Sequence, residues 1–150
     1  MSDLEARLER LETMEAARAA SWRYAIAIDT ADFDLLTEVF TEDAVLTTSK
    51  GPRQGREAII EYYRDKLSNP VQRKHFMTNQ QVTWLSVGEA RMESYFIYTF
   101  AGDDTSILGW GNYLDRIRVE DGVGRIAEKT IAPEVTADSR VGWATSPDAS

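Results

Sequence analysis

Leu4, Leu8, Leu11 and Met14 recur at steps of four and three, which keeps one helical face apolar. Ser2 with Glu5 three residues on has the spacing of a capping box. The pattern predicts a helix over about residues 3–28. In "YAIAI" the apolar residues surround the helix, so its second half is expected to be buried, with Asp29 at its end. Phe33, Leu36 and Phe40 predict a short second helix over 32–40, and "REAIIEYYRDKL" a third over 55–67. "SNP" ends the third, because the residue before a proline disfavours the helical region. The β-branched "AVLTT" predicts a strand near 44–48, and "KGPRQG" a turn.

From about residue 74 the period changes to two. "HFMTNQQVTWLSV", "ARMESYFIYTFA", "TSILGWGNYLDRIRV" and "GRIAEKTIA" predict four antiparallel strands up to about 131, punctuated by the turns "GEA", "GDD" and "EDG". Helices first and a β-meander after them define an α+β fold, with the helices on one face of a curved sheet. The expected organisation is one domain over 1–135 and a tail over 136–150 without clear period. Trp143 in that tail is costly to expose, which suggests docking on its own domain or on a neighbour. Tyr95 and Ile97 alternate with Met92, Phe96 and Tyr98, so both faces of that strand are apolar. A homo-oligomer packed through the sheet is therefore expected.

Charge narrows the partners. The net charge of −8 offers no basic footprint for nucleic acid and disfavours an anionic membrane surface. No apolar run approaches the roughly 20 residues of a membrane span, and the charged N-terminus has no apolar core of a secretory signal. The chain has no cysteine, which excludes disulfides, thiolate metal sites and a cysteine nucleophile. These features fit a cytoplasmic location. No phosphate-binding glycine loop, Gly-x-Ser-x-Gly element or histidine-rich metal site is present, so no metal is expected.

The chain has a single histidine, His75. Alone it reads more readily as structural than as catalytic. Asp29, at the end of an apolar helical stretch, is expensive to bury without a partner; equally, "DTAD" has capping composition and Asp29 could start the next helix. Tyr24, five residues before Asp29, lies off its face by about 140° but could border the same cavity. On "ILGWGNYL", alternation groups Leu108, Trp110, Asn112 and Leu114, and Asn112 among apolar neighbours wants a partner. Asn79 shares by the same rule the face of His75 and Met77. Tyr98 is among several strand aromatics that could line a pocket or simply form a core.

"RYAIAIDTADFDLLTEVFTEDAVLTT", "GREAIIEYYRDKL", "RKHFMTN" and "SILGWGNYLDRIRVEDGVGRIAEK" together resemble the SnoaL-like family of the nuclear transport factor 2-like superfamily over about residues 4–133. The branch holding scytalone dehydratase, bile-acid 7α-dehydratase and hexachlorocyclohexane dehydrochlorinase is the most similar. The resemblance implies a cone-shaped α+β barrel enclosing a pocket, an Asp–His pair at Asp29 and His75, and the helix tyrosine at Tyr24. It implies catalysis without cofactor, a small hydrophobic aromatic, polyketide or steroid-like substrate, and a trimer rather than a dimer. Asn112, Trp110, Asn79 and Tyr98 are the candidate substrate-binding residues. The implied activity is a lyase, by β-elimination of water or another leaving group or by retro-aldol-type cleavage; an isomerase or cyclase, or a non-catalytic binding or structural subunit, stays open. Two departures stand out. Gly124 replaces a tryptophan common in the last strand, and the second active-site histidine of scytalone dehydratase has no counterpart.

Overall fold

The computed structural model describes residues 2–141. Helix α1 spans Asp3–Thr30. Both halves of its capping box form: the Glu5 amide donates to Ser2 Oγ at 3.2 Å and the Ser2 amide to Glu5 Oε2 at 2.6 Å. The helix stops at Ala31, which takes the left-handed conformation at φ 52°. Asp32 then caps α2 (Phe33–Val39), accepting from the Leu35 amide at 2.9 Å. Phe40, expected in that helix, instead opens β1 (Phe40–Thr48), so the strand starts four residues before 44. The stretch expected to be a plain turn holds β2 (Gly51–Gln54), which pairs with β1 as a hairpin. Helix α3 spans Arg56–Lys66, ending just before 67.

Strands β3 (Gln72–Ser86), β4 (Glu89–Gly102), β5 (Thr105–Glu120) and β6 (Val123–Asp138) form the antiparallel meander. Strand β6 runs beyond 131 because β5 is long enough to pair with it as far as Ile107 opposite Asp138. The first residues of the expected tail are therefore strand; Trp143 lies outside the described residues. The sheet order is β2-β1-β6-β5-β4-β3, with β1 parallel to β6 and every other pair antiparallel. This is the expected α+β architecture: three helices against one face of a six-stranded, curved, mainly antiparallel sheet. No helix among the described residues is long and apolar enough to cross a membrane.

The core lies between the helices and the inner sheet face, where Leu36, Phe40, Leu46, Ile59, Ile117 and Ile126 are fully buried. The outer face is different: Phe76, Tyr95, Ile97 and Leu114 are exposed there. At Gly124 the helix lies directly on β6. A methyl group at that position would sit 2.2 Å from the Ala16 carbonyl oxygen. The backbones of α1 and β6 leave no room for a side chain here, so the tryptophan that the family resemblance led one to expect does not fit. Gly124→Ala is expected to cost about 1–3 kcal/mol by forcing these elements apart, read as a lower urea midpoint.

One charged pair is wholly inside. Lys129 Nζ donates to both oxygens of Asp115 at 3.0 and 3.1 Å, and both side chains are fully buried. Burial pushes the Asp115 carboxyl up and the Lys129 ammonium down, each opposed by its partner's charge. The ammonium also lies 3.6 Å from the Tyr113 ring centre and 4.2 Å from that of Tyr24, so two aromatic faces replace lost water. Breaking such a pair strands a buried charge. Lys129→Met alone should cost roughly 3–5 kcal/mol, whereas Asp115→Val with Lys129→Met should recover most of that loss; urea unfolding of the two variants checks it.

Candidate active site

The inner face of β3 carries Arg73, His75 and Met77 by simple alternation. Asp29, in the last turn of α1, reaches His75 with both oxygens. Its Oδ1 is 2.7 Å from the imidazole Nδ1, and its Oδ2 accepts from the His75 backbone amide at 3.2 Å. The two side chains are only 8% and 5% exposed, so little water competes for these bonds. An ionised carboxylate can only accept, so it selects the Nδ1–H tautomer, and in the neutral imidazole Nε2 then keeps its lone pair. The capping role that the sequence offered to Asp29 belongs to Asp32.

His75 borders an apolar cavity of about 360 Å³ between α1, α3 and the inner sheet face. Tyr24, Tyr63, Phe96, Tyr98 and Tyr113 form much of its wall. The Tyr98 ring stacks on the imidazole with centroids 6.1 Å apart and planes 26° from parallel, and its hydroxyl is hydrogen-bonded to Thr136. Tyr24 and Tyr63 share a hydrogen bond of 2.8 Å between their hydroxyls. Burial pushes the Tyr24 and Tyr113 phenols well above their ordinary range, so both stay protonated donors at neutral pH.

Three expected site residues are elsewhere. Trp110 and Asn112 lie on the outer face of β5, beside the exposed Tyr95 and Ile97, and Asn112 Nδ2 donates to Glu134 Oε1 at 2.6 Å. The apolar set Leu108, Trp110 and Leu114 resembled an inner face, but the inner face of β5 holds Gly109, Gly111 and Tyr113. The two glycines are there because β4 rings fill their space: a methyl at Gly109 would lie 2.4 Å from Tyr98 Cζ, and one at Gly111 2.9 Å from Phe96 Cζ. Asn79 is turned outward by a bulge, since Thr78 pairs with Tyr95 and Gln81 with Glu93, leaving two β3 residues opposite Ser94. Its own φ of 52° is left-handed, and Gln80 turns inward instead to donate to Ser21 Oγ at 3.1 Å. Both asparagines border a separate outer concavity of about 500 Å³.

The sequence reading missed Tyr63 and Arg73, and held Tyr113 only as one of several strand aromatics. Arg73 had a signal, its position two residues before His75; Tyr113 had one too, in the glycines that precede it on its face. Among the described residues no three histidine or carboxylate side chains gather as a metal site.

A helix tip that holds a histidine over an aromatic cavity, on a curved sheet, points to one family. Residues 9–130 match the model of the SnoaL-like domain, and the chain belongs to that family. No curated protein matches it. Among solved structures, LinA superposes with a TM-score of 0.81 at 19% identity, over 93% of this chain and 99% of its own. A hexachlorocyclohexane dehydrochlorinase, LinA-type3 of Novosphingobium barchaimii, gives 0.79 at 17%, over 91% and 97%. A scytalone dehydratase-like protein of Novosphingobium aromaticivorans gives 0.79 at 18%, over 95% and 97%. At these identities the likeness is one of fold.

The wall geometry is itself open to test. Gly109→Ala should push the Tyr98 ring out of place and disturb its stacking on His75. The expected result is a folded protein with a shifted His75 ring resonance in a proton–carbon NMR spectrum; an unmoved resonance would show that the Tyr98 ring keeps its place over the imidazole.

Proposed function

We propose that the protein is a cofactor-independent lyase that eliminates water or another leaving group from a small hydrophobic molecule. The observation that carries this reading is the Asp29–His75 hydrogen bond of 2.7 Å at the wall of an open apolar cavity. Two of its structural neighbours, a dehydrochlorinase and a scytalone dehydratase-like protein, support elimination as the reaction class.

The chemistry follows from the tautomer. Nε2 takes a proton from carbon, the electron pair of that C–H bond forms a double bond, and the leaving group departs with its own pair. Asp29 accepts from Nδ1 throughout and stabilises the imidazolium. Where the leaving group is hydroxide, the imidazolium returns the proton to it and water leaves, so His75 ends neutral. Tyr63 can donate to Tyr24, which frees the Tyr24 proton for an oxyanion that develops on the substrate. The apolar wall excludes water and strengthens each of these contacts.

The test is a panel of cyclic β-hydroxy ketones and polychlorinated cycloalkanes, followed by mass spectrometry for loss of water or hydrogen chloride. Wild type should convert at least one compound. His75→Ala should lose on the order of 10²- to 10⁴-fold in kcat, and Asp29→Asn a similar amount, because the amide imposes the wrong tautomer. Tyr24→Phe should cost about 10- to 1000-fold. Equal turnover by a folded His75→Ala protein would refute the base assignment.

Assembly belongs to the same reading. The exposed Phe76, Tyr95, Ile97 and Leu114 give the outer sheet face an apolar surface that a second copy can cover. We infer a homo-oligomer, a trimer rather than a dimer. Light scattering at micromolar concentration should return the mass of three chains, and Ile97→Lys should lower it; a wild-type monomer would count against it.

A further inference from the structure

In a chain of net charge −8, the cavity wall formed by the described residues includes two cations, Lys66 and Arg73, and no carboxylate. Arg73 is 7% exposed. Its Nη2 donates to the carbonyls of Leu67 (3.2 Å) and Asn69, at the C-terminal end of α3. Those carbonyls are dipoles, not counter-ions, and among the described residues no carboxylate lies within ion-pair distance of Arg73. A guanidinium has five N–H donors. Nε and Nη1 have no acceptor among the described residues, on a side chain that faces the cavity. With no protein acceptor, these two donors are left to solvent in the cavity or to a ligand that enters it, and an anion satisfies them best. Lys66, at the exposed end of α3, adds a second positive charge at the rim.

We propose that the cavity takes an anionic substrate, a one- or two-ring apolar acid whose carboxylate is held by Arg73. The inference rests on the cavity being the substrate site and names the substrate class for it. Geometry sets the distance. Arg73 and His75 are two residues apart on one strand face, so their Cα atoms are roughly 7 Å apart. That is comparable to the span of one substituted ring, so a carboxylate at Arg73 places the far side of the ring near the imidazole. The volume of about 360 Å³ accommodates a one- or two-ring acid with room to spare.

The probes are 2-naphthoate and 2-naphthamide, alike in shape and different in charge. Titration calorimetry on the full chain at neutral pH and low salt should show naphthoate binding on the order of 10- to 100-fold more tightly than naphthamide, the range of a charge-assisted hydrogen bond. Arg73→Gln should abolish that preference and leave naphthamide affinity unchanged. His75→Ala should retain it, which separates this proposal from the assignment of His75 as base. Because Arg73 also caps α3, a second readout needs no variant. In wild type the Arg73 Nε–H NMR resonance should move on adding naphthoate and stay put on adding naphthamide. Equal binding of the two probes, binding of neither, a preference that survives in Arg73→Gln, or a resonance that ignores naphthoate would each overturn the proposal.

Discussion

The carboxylate of Asp29 binds two things at once: the backbone amide and the imidazole of His75. Strand β3 is the edge of the sheet, so the amides that face away from β4 have no strand partner. One of these amides is satisfied by Asp29 Oδ2, which ties the last turn of α1 to the edge. The other oxygen fixes the imidazole. A carboxylate so deeply placed is tolerable because two donors replace its water. The position of the proposed base is therefore a property of the helix–sheet junction and not of β3 alone. Whatever holds α1 against the sheet also holds His75 in place, including the side-chain-free contact of Gly124 with Ala16.

Beneath this junction the cavity is shaped by pairs of unequal residues. Phe96 stands opposite Gly111 and Tyr98 opposite Gly109. The large partner leans into the space that the small one leaves, so the rings lie along the sheet and keep the middle of the cone open. Phe96 and Tyr113 stack with centroids 4.1 Å apart, and Tyr24 meets Tyr113 edge-on at 5.9 Å. Lys129 sits under Tyr24 and Tyr113 and is neutralised by Asp115. The two charges of the floor, Lys129 and Asp115, are thus already paired, which distinguishes them from Arg73.

The periodicities made the architecture legible. The step of three and four placed α1 and α3 to within about two residues, and the period of two placed the meander. What escaped was set by pairing partners that are distant in sequence. Residues 51–54 form a strand only because β1 turns back on them, and β6 extends to Asp138 only because β5 is long enough to meet it. The face of β5 was misread for a related reason. Apolar content marks an inner face only when both faces are not apolar, and the outer face here carries Trp110 and Leu114. Glycines, which carry no hydropathy signal, marked the true inner face through their cross-strand aromatics. Asn79 failed through the bulge, because one inserted residue reverses every later side chain.

The Asp29–His75 pair shows where local pattern runs out. Asp29 and Asp32 lie three residues apart, both near the end of a helix and the start of another, and composition alone assigns the cap to either. The backbone decides it. Once Ala31 turns left-handed, Asp32 is the residue in place to receive the Leu35 amide. Asp29 remains inside the last turn of α1, directed at a strand 46 residues away. A buried carboxylate excluded from capping must find another donor, and His75 presents two. The same reasoning applies to Arg73, with the opposite sign. Its Nη2 has acceptors at the end of α3, while Nε and Nη1 have none among the described residues, on a side chain that lines the cavity. In a cavity already paired at its floor and its dyad, that remaining donor edge is the feature that gives the site a preference for charge.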